Sequence, residues 1–161
     1  MPSNPKTGTL PTVAVDLRPL VRTVTGIGVL TRSLLLELAS RGEFRFLGMA
    51  HGPAVGAQEL EAAGVATESH PAPLGGIWQQ LVLPRRLVRG DIDLFWSSHM
   101  TLPWHCPVPS VLTVHDLTAL LLPEHHRAKN RWSVYPFFRR SVEQARRIVT
   151  ISEATAADLR F

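Results

Sequence analysis

The chain of 161 residues has one cysteine, Cys106, and one tyrosine, Tyr135. A single cysteine excludes an intramolecular disulfide and fits a reducing compartment. No apolar run approaches the roughly 20 residues of a membrane span, so no integral membrane helix is expected. Met1 to Pro11 is polar, contains prolines and lacks the apolar core of a signal peptide; it reads as a loose tail. There is no nucleophile elbow, no P-loop and no His-Glu-x-x-His, so the enzyme classes those motifs mark are not supported. Internal repeats and low-complexity tracts are absent as well.

What remains is a composition of 45% hydrophobic and 19% charged residues, enough for one domain with a proper core. Lys+Arg (17) exceed Asp+Glu (13), for a net charge of +4. Arginines gather at Arg85-Arg86, Arg127 to Arg131, Arg139-Arg140 and Arg146-Arg147. Such clusters suit phosphate-bearing ligands or anionic lipid headgroups, although a solvated helix face accounts for any single pair.

Apolar runs alternate with helical periodicity along the chain. Strands are predicted at Thr12 to Asp16, Phe44 to Ala50, Val65 to Glu68, Ile92 to Trp96, up to His115, and at Arg147 to Ile151. Between them, helices are predicted from Ile27 to a stop at Arg41-Gly42, at Ala57 to Ala63, at Ile77 to Val88 with Pro84 kinking or splitting it, and at Arg131 to Ala145. Ser152 caps a final helix expected to be still running at Phe161. Strands alternating with helices predict an α/β fold: a Rossmann-like, doubly wound parallel sheet.

Three segments fall where open parallel sheets bind ligands, beyond the carboxyl ends of their strands. The first runs Asp16-Leu17-Arg18-Pro19-Leu20, then Thr25-Gly26-Ile27-Gly28. Glycines at a helix start let a ligand approach free amides, and the helix dipole favours anions; a plain turn reads equally well. A dinucleotide site fails here. The glycines lie about ten residues past the strand and Thr31 stands where a third small residue is needed. Ala50-His51 also offers no acid for a ribose.

The second segment is His115-Asp116, after the β-branched run Pro109-Ser110-Val111-Leu112-Thr113-Val114. A core histidine satisfied by a backbone carbonyl, with Asp116 capping a turn, is the alternative to ligand contact. The third is Thr150-Ile151-Ser152-Glu153, for which helix capping is a sufficient structural explanation. His99, His105 and Cys106 share one loop without zinc spacing, so no metal site is expected. His125-His126 is expected to be exposed. Trp132, Tyr135, Phe138 and Val142 form a helical stripe expected to pack on the sheet, with a membrane-resting basic face as the lesser alternative.

Taken in order, these three segments resemble the N-terminal half of the group 1, retaining, mannosyltransferase-like glycosyltransferases of the GT-B fold. The likeness runs from about residue 12 to the end of the chain. The resemblance implies a single Rossmann-like domain over 12–161, preceded by a flexible tail over 1–11, with a C-terminal donor-binding domain absent. It implies hexose transfer from a nucleotide-sugar to a saccharide or lipid-linked saccharide, no metal or other cofactor, and inactivity of this part alone. By the same carry-over, His115 is catalytic, while Gly26, Ile27, Gly28, Asp116, Ser152 and Glu153 bind substrate, Asp116 chiefly by supporting His115. No nucleic-acid partner is implied, and the expected location is cytoplasmic, with peripheral membrane contact at the inner face as an extension. Val29-Leu30 departs from the Arg-Tyr common after the second glycine, so a side-chain contact there is lost or supplied elsewhere. A non-catalytic α/β binding module on the same scaffold is the alternative.

Overall fold

The computed structural model describes residues 9–117 and 128–159, with side chains from residue 136 onward in the second stretch. The β-branched runs form six strands: β1 Thr12–Asp16, β2 Arg45–Ala50, β3 Ala66–Ser69, β4 Leu94–Ser97, β5 Ser110–Val114 and β6 Arg147–Thr150. They form one all-parallel sheet in the order β3-β2-β1-β4-β5-β6. The predicted Rossmann-like α/β domain is the fold. Order reverses between β1 and β4, which makes their carboxyl ends the topological switch point.

Each face of the sheet carries its own core. Helix α1 (Gly26–Ser40) and helix α2 (Ala57–Ala62) cover one, where Val13, Val15, Leu35, Phe46 and Leu60 pack together. Part of that face remains an open apolar trough of about 300 Å³ lined by Leu34, Leu38, Phe44, Trp96, Val111 and Val149 among others. The other face takes helix α3, over 75–87, and helix α4, Ala128–Gln144. There Trp78, Leu83, Leu87, Phe95, Leu112 and Phe138 pack together. Phe138 and Val142 of α4 meet the sheet as expected; the side chains of Trp132 and Tyr135 lie outside the described residues.

Pro84 does not split α3. The helix widens into a π turn at Trp78–Val82, between α turns Gly75–Ile77 and Leu83–Leu87. The wider turn accommodates a residue that has no amide and crowds the carbonyl four positions back. Pro136 lies inside α4, which starts earlier than expected. Strand β4 begins two residues late, because Asp91 and Asp93 are drawn to Arg86 and to the Thr12 amide. The last helix, α5 (Glu153–Asp158), is capped by Ser152 as predicted; Phe161, to which it was expected to run, lies outside the described residues. Residues 1–8 of the predicted tail, and His125-His126, lie outside the described residues.

Candidate functional site

The carboxyl ends of β1, β4, β5 and β6 are tied sideways into one rim. Ser98, just past β4, donates from Oγ to the Asp16 carbonyl at 2.6 Å. The carbonyl of Ser98 in turn meets His115 Nε2 at 2.9 Å. A carbonyl only accepts, so Nε2 carries the proton and a neutral His115 keeps Nδ1 as its acceptor. Thr155 Oγ1 donates to the His115 carbonyl at 3.3 Å, and Ser152 Oγ caps α5 by accepting from the Thr155 amide at 3.1 Å. His115 and Ser152 are thereby brought to one rim, through links no single segment reveals.

Burial differs sharply among the predicted site residues. His115 is only 7% exposed, so the core-histidine reading describes its immediate surroundings. Its ring is held by the Ser98 carbonyl. Asp116, Ser152 and Glu153 are exposed, Glu153 lying in the first turn of α5. Gly26 is exposed, with nothing within 4 Å of where a Cβ would sit, whereas Gly28 is buried and a Cβ there would stand 2.5 Å from the Pro19 carbonyl oxygen. The Gly28 amide is taken by Thr25 Oγ1 at 3.1 Å, the N-cap bond of α1. Ile27 is half-buried.

A buried ion pair, Asp16 with Arg18, sits at the switch point, apart from the predicted site residues. Asp16, fully buried, receives Arg18 through Nε at 3.0 and 2.9 Å and through Nη2 at 2.6 Å. The guanidinium also lies over the Trp78 ring, 5.7 Å from its centroid, a cation–π distance. His51, after β2, packs with Arg18 against Gly75: a Cβ there would meet Arg18 Cδ and His51 Cε1 at 3.3 Å each. Among the described residues, His51 Nδ1 and Trp78 Nε1 are buried without a hydrogen-bond partner. Buried polar atoms are normally satisfied, so these two atoms call for water or another partner.

Two imidazoles near this rim, His51 and His99, have their pKa lowered by their surroundings. Burial first, then the Arg18 and Arg22 guanidiniums, push the His51 pKa below its ordinary value against the pull of Asp16. Crowding by the protein, with Arg18 next, does the same to His99, although part of that residue stays exposed. Among the described residues, the non-glycine residues with left-handed backbone, Arg22 (φ 69) and Met100 (φ 48), lie in the loops that follow β1 and β4. Strain of this kind gathers at binding sites. Among the described residues, no group of three His, Cys, Asp or Glu could hold a metal ion.

Asp16 and Arg18 lie in the first of the three segments, where the one local hint of their pairing is an acid at a strand end with an arginine two positions on. A family model described as Glycosyltransferase Family 4 matches residues 24–161, a span that includes α1, the His115 strand end and the Ser152 cap. No curated protein matches the chain.

Proposed function

The chain belongs to Glycosyltransferase Family 4, and from that premise we propose that it is the acceptor-side half of a retaining GT-B hexosyltransferase of group 1. The donor is a nucleotide-sugar, held mainly by a second domain. The acceptor is a saccharide or lipid-linked saccharide, seated on this domain's carboxyl rim. The observation that carries the reading is the tied rim, with His115 and the Asp16–Arg18 pair flanking the switch point.

In this reading, His115 acts at the transferred sugar. With Nε2 committed to the Ser98 carbonyl, Nδ1 accepts a sugar hydroxyl proton in a hydrogen bond as the anomeric centre gains positive charge. Ser98 is a positioning residue that sets the ring's orientation. Since the cap consumes the Gly28 amide, the first-turn amides of Gly26 and Ile27 are the donors a diphosphate or hydroxyl can use. Asp116, Ser152 and Glu153 supply polar groups along the same edge. His51, half-buried at this edge, takes the missing partner of Nδ1 from an acceptor hydroxyl.

Sugar transfer from a nucleotide-sugar panel, measured on the full-length protein, tests the assignment. His115→Gln, which keeps an N–H for the Ser98 carbonyl, and His115→Ala are each expected to lower kcat/KM at least about tenfold with the fold retained. Wild-type turnover in both variants removes His115 from the reacting centre.

A further inference from the structure

Trp104 is an indole whose backbone is pinned while its ring is left uncovered. It lies midway along the loop 98–109, between β4 and β5, and is 43% exposed, although tryptophan is highly buried on average. Side chains of two helices hold the loop beneath it. From α4, Ser141 Oγ accepts the Leu102 amide at 2.7 Å, and Gln144 Nε2 donates to the Pro103 carbonyl at 2.6 Å. Gln144 Oε1 also accepts the Cys106 amide at 3.3 Å, and Arg140 Nε donates to the Trp104 carbonyl at 3.3 Å. From α3, Gln80 Oε1 accepts the Trp104 amide at 2.7 Å. These bonds order the backbone on both sides of the indole, so a ligand that meets the ring does not have to order the loop.

A pocket opens beside the ring. Trp104, Pro136, Arg139, Arg140 and Glu143 line a cavity of about 420 Å³. Phe137 braces the indole nearly at right angles, at 81° with centroids 5.5 Å apart. Arg139 and Glu143 stand one turn apart on α4, paired from Nε to Oε1 at 3.0 Å, and both are exposed. A flat apolar surface is thus edged by a carboxylate and by guanidiniums. The pocket is remote from the His115 rim. Helix α4 ends just before β6 starts at Arg147, and the Arg146 amide bonds the Ser110 carbonyl at the first residue of β5. Its last turns, which carry Arg139 to Glu143, therefore lie toward the amino ends of the strands, opposite the carboxyl rim.

We propose that this pocket is a second saccharide-binding site, in which a pyranose stacks its C–H face on the Trp104 indole while Glu143 accepts from its hydroxyls and Arg139 donates to them. A sugar ring has an apolar face and a periphery of groups that both donate and accept, which matches an indole edged by charges of both signs. Phosphate is a poorer fit, because Glu143 repels it. An aliphatic ligand would strip water from Arg139 and Glu143 and return no hydrogen bond. At this distance from the rim the site holds a saccharide rather than transforming it, and it would retain a growing acceptor between additions. That role rests on the saccharide acceptor proposed above; the binding itself does not.

The test is nitrogen–proton correlation NMR of the chain titrated with cellohexaose, maltohexaose and mannohexaose, with no donor present. The chain has four tryptophans, and the indole signal that disappears in Trp104→Phe is that of Trp104. At least one of the sugars should move this signal, with a Kd on the order of millimolar, and leave the Trp78 signal in place. Followed through the backbone amides of Arg139 and Glu143, Trp104→Ala should weaken binding at least about tenfold and Glu143→Ala at least about threefold. Circular dichroism of both variants should match the parent, since both side chains are exposed. A Trp104 signal unmoved by all the sugars at about 10 mM overturns the proposal, as does equal binding by Trp104→Ala. Movement of Trp78 alone places the saccharide at the rim and overturns it too. A Trp104 signal that shifts on concentrating the protein without sugar, and not on adding sugar, gives the indole to a second copy of the chain instead. Sugar transfer without any response at Trp104 would leave the proposed function standing and remove this site.

Discussion

Two glycines two positions apart should respond to alanine in opposite directions. At Gly28 an added Cβ would stand 2.5 Å from the Pro19 carbonyl oxygen, 3.2 Å from its carbon and 3.1 Å from Leu20 Cδ2. Two of these three atoms, including the closest, belong to the Pro19 backbone, so α1 itself must retreat. Overpacking of this kind costs up to about 3 kcal/mol, and the helical preference of alanine over glycine returns about 0.5–1. A net loss of about 2 kcal/mol is expected for Gly28→Ala, or roughly 4–8 °C in Tm at this chain length. Gly26→Ala meets nothing within 4 Å and should be neutral or more stable by up to about 1 kcal/mol. Urea unfolding followed by circular dichroism reads both. Equal midpoints for the two variants would refute the packing argument. The same pair separates stability from chemistry, since Gly26→Ala should slow transfer only if a ligand approaches that helix start.

Two further outcomes concern charge. Arg86 is buried between Glu68, at 2.8 and 3.0 Å, and Asp91, at 2.7 and 2.8 Å, joining α3 to β3 and to the turn before β4. Arg86→Met should destabilise by about 1–3 kcal/mol, held below the fully buried case because both carboxylates keep access to water; a loss under about 0.5 kcal/mol would refute it. Hydrogen bonding to Arg86, foremost, holds the Glu68 and Asp91 carboxyls below their usual range, so this stabilisation is present above the ordinary carboxylate values and fades as pH falls through the lowered ones. The His51 imidazole, lowered from 6.5 first by burial and then by Arg18, runs through a different window. The unfolded chain takes up a proton near 6.5 while the folded one resists, so stability should decline as pH drops from about 6.5 toward the folded value. His51→Gln should flatten that part of the stability–pH curve, and an unchanged slope would exclude His51 as its source.

Strand and helix order was readable wherever local pattern and tertiary demand agree. The β-branched run of β5 and the Ser152 cap are cases where neighbours in sequence determine the outcome. Helix α3 shows why orientation was not readable: Trp78, Leu83 and Leu87 on one side and Ile77, Leu81 and Val88 on the other are all apolar, so periodicity names no inner face. His115 could be found because a strand end is a local feature. The bond from Ser98 to the Asp16 carbonyl joins residues 82 apart and ends on a backbone atom, which leaves no side-chain signature. The need for glycine at position 28 likewise arises from a carbonyl on another turn, so sequence could mark the residue without giving the reason.

Lateral ties among four strand ends give the crevice floor the mechanics of a plate. A load applied at His115 passes through Ser98 to Asp16 and through Thr155 to the start of α5, so no strand tip yields by itself. On the proposed acceptor-side reading, such a floor would select among acceptors by rejecting misfits, because accommodating a wrong shape means breaking several bonds together. Variation in acceptor choice among proteins built this way should therefore accumulate in the loops above the floor.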